Sequence, residues 1–142
     1  WSNLPFQTVA SPYFKAEHMA KQMNALRLPG VTFRPIHYSP RFGGYKGQKL
    51  KGVQLHVNDP NTFEPASTEV CLLWYVQRYY AKQFKWNRWK NKGYNLYVDK
   101  AFGRSYVRQA LQKKWSYKKI IDAWQPDVQN FKRMRAKYLI YK

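Results

Sequence analysis

Hydrophobic and polar positions follow two rhythms along this chain. Over residues 14–27, Ala16, Met19, Ala20, Met23 and Leu26 recur at helical spacing, which predicts a helix with one apolar face. Pro29-Gly30 ends it. Over residues 31–38 the rhythm shortens to alternation. Val31, Phe33, Pro35 and His37 oppose Thr32, Arg34, Ile36 and Tyr38, and this predicts a strand. Pro35 has no N–H to give a ladder, so the strand belongs at a sheet edge or a bulge. In GVQLHV, residues 52–57, Val53, Leu55 and Val57 oppose Gln54 and His56, a half-buried strand with one polar face. PFQTVA, residues 5–10, reads as a short strand before a turn at Ser11-Pro12.

The remaining segments read mostly as helices and loops. Residues 39–51 form a loop containing Gly43, Gly44 and Gly47, and residues 58–61 form a turn. A helix is expected from Ser67, as N-cap, to about Gln83, carrying Val70, Leu72, Leu73, Val76 and Tyr80, with Cys71 in its buried part. Residues 84–102 read as irregular. Helices follow over about 104–113, 117–123 and 127–138, with Pro126 in the first turn of the last and Asp127 at its positive dipole end. In that helix Val128, Phe131, Met134 and Tyr138 share one face. The expected fold is α+β: a small mixed sheet of about three strands, packed with about four helices, in a single domain over residues 1–142.

Charge changes this picture more than composition does. The formal net charge of the 142 residues is +19, and its distribution is uneven. Residues 1–71 hold 8 basic and 4 acidic side chains, whereas residues 72–142 hold 18 and 3. Such a half attracts polyanions, whether nucleic acid, anionic lipid or an acidic wall polymer. An aromatic content of 18% argues against disorder. The single Cys71 excludes an intrachain disulfide and any multi-cysteine zinc site. No apolar run approaches the length of a membrane span. The chain opens on Trp1 with no basic-then-apolar leader, so any signal peptide is expected to be gone already.

Candidate chemistry is sparse. The sequence holds no phosphate-binding glycine loop and no metal-ligand spacing; His18, His37 and His56 are scattered. No metal and no cofactor is expected. Glycoside hydrolysis usually needs two carboxyl groups set across the bond. Glu64 and Glu69 lie five apart around a turn, and no other pair is poised, so no catalytic residue is assigned. Tyr79, Tyr80, Phe84, Trp86 and Trp89 interleave with Lys82, Lys85, Arg88 and Lys90. That stretch suits stacking on bases or sugar faces beside phosphate contacts, or a loop packed on the domain. Gln54 and His56 share the polar face of their strand. Around them Arg34, Arg41, Phe42 and Tyr45 offer an arginine for a carboxylate and aromatic rings for a sugar face. These six residues form the candidate substrate-binding set.

Four segments, in this order, carry a family resemblance: PFQTVASP (5–12), NALRLPGVTFRP (24–35), GVQLHVNDPNTFEP (52–65) and WQPDVQNFKRMRAKYLIY (124–141). Together they resemble the C-terminal domain of the exo-β-N-acetylmuramidase (NamZ) family of bacterial peptidoglycan hydrolases. The resemblance implies a two-domain enzyme. An N-terminal Rossmann-like domain would carry the catalytic carboxylates, and this α+β domain would complete the glycan cleft. It implies peptidoglycan fragments or muropeptides as ligands, and a location in the cell envelope, periplasmic or secreted. The N-terminal domain is expected to be absent from this chain, which alone is then not expected to be active. The alternative is a recruited basic module, structural or nucleic-acid-binding, that uses the C-terminal half.

Overall fold

A computed structural model describes residues 6–86 and 97–141. The chain divides into two compact units, Trp1–Lys85 and Trp86–Lys142. The first contains the sheet, with strands β1 (Thr8–Ser11), β2 (Val31–Tyr38) and β3 (Leu50–Val57) in the order β1-β3-β2. Both pairings are antiparallel. The mixed pairing expected from the sequence does not occur. β1 and β2 run the same way, but β3 lies between them, so no parallel ladder forms. β2 is an edge strand, as Pro35 requires. β3 starts at Leu50 rather than Gly52, because Leu50 and Lys51 pair with Tyr38 and His37.

Helix α1 (Ala16–Ala25) packs on the apolar face of β2 and β3. Met19 and Met23 are fully buried, as is Val53, with Phe33 close behind. Asn24 bonds the outer edge of β2 in both directions: its Nδ2 donates to the Phe33 carbonyl and its Oδ1 accepts from the Phe33 amide, each at 2.8 Å. That contact occupies edge groups that would otherwise stay open to another strand. The other flank of α1 meets α2 (Pro65–Tyr80). His18 Nδ1 lies 2.8 Å from the Tyr75 hydroxyl, and the Lys15 amide donates to the Tyr80 hydroxyl at 2.9 Å.

α2 begins earlier than its expected N-cap. Pro65 occupies the first turn and Glu64 is the cap residue. Pro65 pre-sets the helical φ and holds Glu64 extended, so the helix starts there and Ser67 falls inside it. The Ser67 hydroxyl donates to Glu64 Oε2 at 2.8 Å instead of capping an amide. The helix ends at Tyr80, and the Tyr80 carbonyl accepts from the amides of Gln83 and Phe84.

The second unit holds α3 (Tyr97–Ala101), α4 (Tyr106–Gln112) and α5 (Tyr117–Arg135), followed by a 3₁₀ turn at Ala136–Tyr138. Five helices are described, where the sequence reading expected about four. α3 lies inside the stretch read as irregular. Arg108 fixes it by a fork on Asp99, Nε to Oδ1 at 2.9 Å and Nη2 to Oδ2 at 2.8 Å. The two C-terminal helices expected on either side of Pro126 are one helix, with Pro126 in its interior. Pro126 and Asp122 are both exposed, where the hydrogen bond that Pro126 cannot make costs least, and the helix continues. Ser116 caps this helix, its Oγ accepting from the Lys119 amide at 3.2 Å. Among the described residues of this unit, Val107, Ala110, Leu111 and Ile120 are the buried apolar side chains.

Candidate functional site

Alternation along β2 and β3 sends one set of side chains toward α1 and the other to the opposite face. Directly paired residues share a face, so register decides which polar groups meet. Gln54 pairs with Arg34 on one side and with Thr8 on the other. His56 pairs with Thr32, one step along the same face. The sheet thus brings three of the six candidate residues together, Arg34, Gln54 and His56, and adds Thr8 and Thr32. Those two threonines escaped the sequence reading, because a hydroxyl on a strand has no signature until the register is known. Asn58 Nδ2 donates to the Thr32 hydroxyl and ties the 58–61 turn to this row.

Gly52 makes the row continuous. Its position opposite Ala10 leaves no room for a side chain: a Cβ there would run into the Val9 carbonyl and come within 2.6 Å of the Ala10 Cα. Close backbone approach is what glycine permits. Gly30 has a similar task at the other end. Its φ is +67°, and its carbonyl accepts from the Asn58 and Asp59 amides at 2.8 and 3.3 Å.

The loop residues stand apart from this row. Arg41, Phe42 and Tyr45 lie on the exposed hairpin loop, and no hydrogen bond among the described residues joins them to Gln54 or His56. Gln54 lies four positions along β3 from the strand's loop end, roughly 13 Å at ordinary strand rise. At the base of the loop is a different feature, a cavity of about 450 Å³ among His37, Tyr38, Ser39, Lys49 and Lys51. His37 Nε2 meets Glu17 Oε1 there at 2.9 Å. The Glu17 carboxyl is held below its ordinary range by a backbone hydrogen bond and then by that contact. Of the aromatic–basic stretch, Arg88, Trp89 and Lys90 lie outside the described residues.

Chemically, the row is a set of neutral and cationic hydrogen-bonding groups with unused capacity. Arg34 is exposed and has no acidic partner among the described residues. His56 Nε2 is buried and has no hydrogen-bond partner among them. A buried polar atom without a partner costs about 1–3 kcal/mol, a cost that the packing around His56 carries. Most carboxylates are committed elsewhere. Asp59 bonds Thr62 Oγ1 and the Asn61 amide, Glu64 holds Ser67, Asp99 holds Arg108, and Asp127 meets Arg104 at 3.1 Å. Among the described residues no three of His, Cys, Asp and Glu cluster as a metal site.

Three comparisons bear on this geometry. A family model described as exo-beta-N-acetylmuramidase NamZ, C-terminal, matches residues 2–141. The peptidoglycan beta-N-acetylmuramidase NamZ of Bacillus subtilis (strain 168) is 31% identical over 137 residues, which are 96% of this chain and 32% of that protein. The crystal structure of a DUF1343 family protein from Bacteroides fragilis NCTC 9343 has a TM-score of 0.79 at 28% identity, covering 97% of this chain and 36% of that one. The chain therefore spans about a third of the length of each relative.

Proposed function

Because this chain belongs to the family of NamZ C-terminal domains, we propose that it is the accessory, substrate-binding part of a peptidoglycan β-N-acetylmuramidase. In this reading it supplies one wall of a glycan cleft and a catalytic domain supplies the acid and base. The observation that carries the reading is the Thr8–Gln54–Arg34 row with Thr32 and His56 beside it. Gln54 gives both a donor and an acceptor to sugar hydroxyls. Arg34 gives a planar fork suited to a carboxylate, such as the lactyl group of muramic acid. His56, half-buried one step along the same face, shapes the floor of the row. The loop residues Arg41, Phe42 and Tyr45 serve as an outer rim that closes over longer fragments. Such a protein works in the cell envelope, where its polymer is.

The test is a titration of the chain with N-acetylmuramic acid and with a disaccharide muropeptide, followed by NMR. Chemical-shift changes centred on the Gln54 side-chain amide and the His56 ring are expected, and His56→Ala should abolish them while the fold persists. Shifts confined to the 39–49 loop, or none at all, would remove Gln54 and His56 from the site.

A further inference from the structure

The turn after β3 holds one side chain of the polar row from outside the sheet. Asn58 follows β3 directly and continues the alternation of Gln54 and His56, so its side chain falls on their face. There its Nδ2 donates to the Thr32 hydroxyl. The backbone around Asn58 is fixed. Its amide donates to the Gly30 carbonyl at 2.8 Å. A Cβ on Gly30 would lie 2.3 Å from the Asp59 carbonyl oxygen and 2.8 Å from the Phe63 nitrogen, so the turn and the start of β2 approach closely. The Asp59 carboxylate accepts from the Asn61 amide at 2.9 Å and from the Thr62 hydroxyl at 2.8 Å. The Asp59 carbonyl accepts from the Phe63 amide at 3.1 Å.

We propose that Asn58 is a positioning residue for the polar row, holding Thr32 so that its hydroxyl hydrogen is turned to an acceptor on the ligand. The inference rests on the reading of that row as a sugar site. A threonine hydroxyl both donates and accepts, and alone it rotates to suit its surroundings. Asn58 Nδ2 offers only hydrogens, so the Thr32 oxygen accepts from it and the Thr32 hydrogen stays free. Among the described residues no second group takes that hydrogen. Arg34, next on the same face of β2, can only donate. Thr32 and Arg34 therefore offer hydrogens side by side. The groups they select are strong acceptors, an amide carbonyl or a carboxylate, in preference to a hydroxyl. An N-acetylated acidic sugar carries both, whereas a plain hexose carries neither.

Two measurements on the chain test this. Three-bond NMR couplings across the Thr32 Cα–Cβ bond report its rotamer without any ligand. One rotamer is expected in the native chain and an average of several in Asn58→Ala. Titration with N-acetylmuramic acid reads the consequence. Asn58→Ala and Thr32→Val should each weaken binding by about three- to tenfold, the range of a single hydrogen bond. The double variant T32V/N58A should bind no more weakly than T32V alone, because Asn58 acts through Thr32. Asn58→Asp keeps the shape but reverses the bond, since a carboxylate takes the Thr32 hydrogen. It should hold the rotamer yet bind more weakly than Asn58→Ala at about 0.3 M salt, where the added charge is screened. Thr32 and Asn58 are both exposed, so these variants should keep the fold, which the amide spectrum checks. A single Thr32 rotamer in Asn58→Ala would overturn the proposal. So would a loss on Asn58→Ala that is as large in the T32V background as in the native chain. A native chain that binds no N-acetylmuramic acid would instead remove the sugar reading, while the couplings still decide the role of Asn58.

Discussion

At the residue scale, Cys71 shows how burial sets chemistry. It is wholly inaccessible in α2 beside buried Leu72 and Val76, while Leu73 is half-buried. Burial pushes its thiol from an ordinary 9.0 up to about 12. Thiolate is therefore scarce near neutrality, and alkylation of the native protein by iodoacetamide at pH 8 should be negligible until denaturant is added. The sign of the linkage follows. The unfolded thiol ionises from pH 9 upward and the folded one does not until about 12. The stabilising contribution is complete below pH 9 and lost as pH rises toward 12. Comparing urea unfolding of the native chain and Cys71→Ala across that range isolates it. Cys71→Ser should destabilise by about 1–3 kcal/mol at neutral pH, because the hydroxyl would be buried unpaired. A neutral result would mean that the hydroxyl finds a partner in this packing.

Elements depend on backbone fit as well as on side-chain pattern. Gly52→Ala would press a methyl into the Val9 carbonyl and the Ala10 Cα of β1. A loss of roughly 2–3 kcal/mol is expected, together with faster hydrogen exchange at the Leu55 amide, which now donates to the Gln7 carbonyl at 2.8 Å. Unchanged exchange there would mean that β1 shifts to make room. In α5 the opposite sign is expected. Pro126 leaves one helical carbonyl without its amide, and the site is exposed. Pro126→Ala should raise helical circular dichroism and stabilise by about 1–3 kcal/mol. A fall in thermal midpoint would show instead that the packing of α5 favours Pro126.

For the whole molecule, the distribution of carboxylates matters more than any single one. Five of the seven acidic residues already hold a histidine, a serine hydroxyl, a turn or an arginine. Glu69 and Asp122 are the two left over, one in each compact unit. The 142-residue chain by itself is therefore expected to release no N-acetylmuramic acid from muropeptides, as measured by liquid chromatography of the products. Turnover by the pure chain that disappears on Glu69→Gln would show it to be a complete enzyme. Recognition of neutral sugar hydroxyls through Gln54 and the threonines should be nearly independent of salt, and the single Arg34–carboxylate contact should add only a shallow dependence. A nucleic-acid interface in the basic half would lose affinity with a slope of about −0.7 to −0.9 per phosphate contact.

What depends on neighbours along the chain was legible in the residues alone. The alternation in residues 31–38 and 52–57 placed two strands and their polar faces. The helical spacing from Ala16 to Met23 placed α1 and its buried side. Four ordered motifs were enough to point to the family, since a fold's constraints leave residues at fixed intervals. Tertiary structure decided what depends on groups far apart in the chain. Only the register opposes Gln54 to both Arg34 and Thr8, because hydrogen bonds between strands, not spacing within them, choose partners. Only the placement of β3 between β1 and β2 made the sheet antiparallel. Only solvent exposure around Pro126 let α5 run through a residue that local propensity reads as a break, since a freed carbonyl costs little where water can reach it.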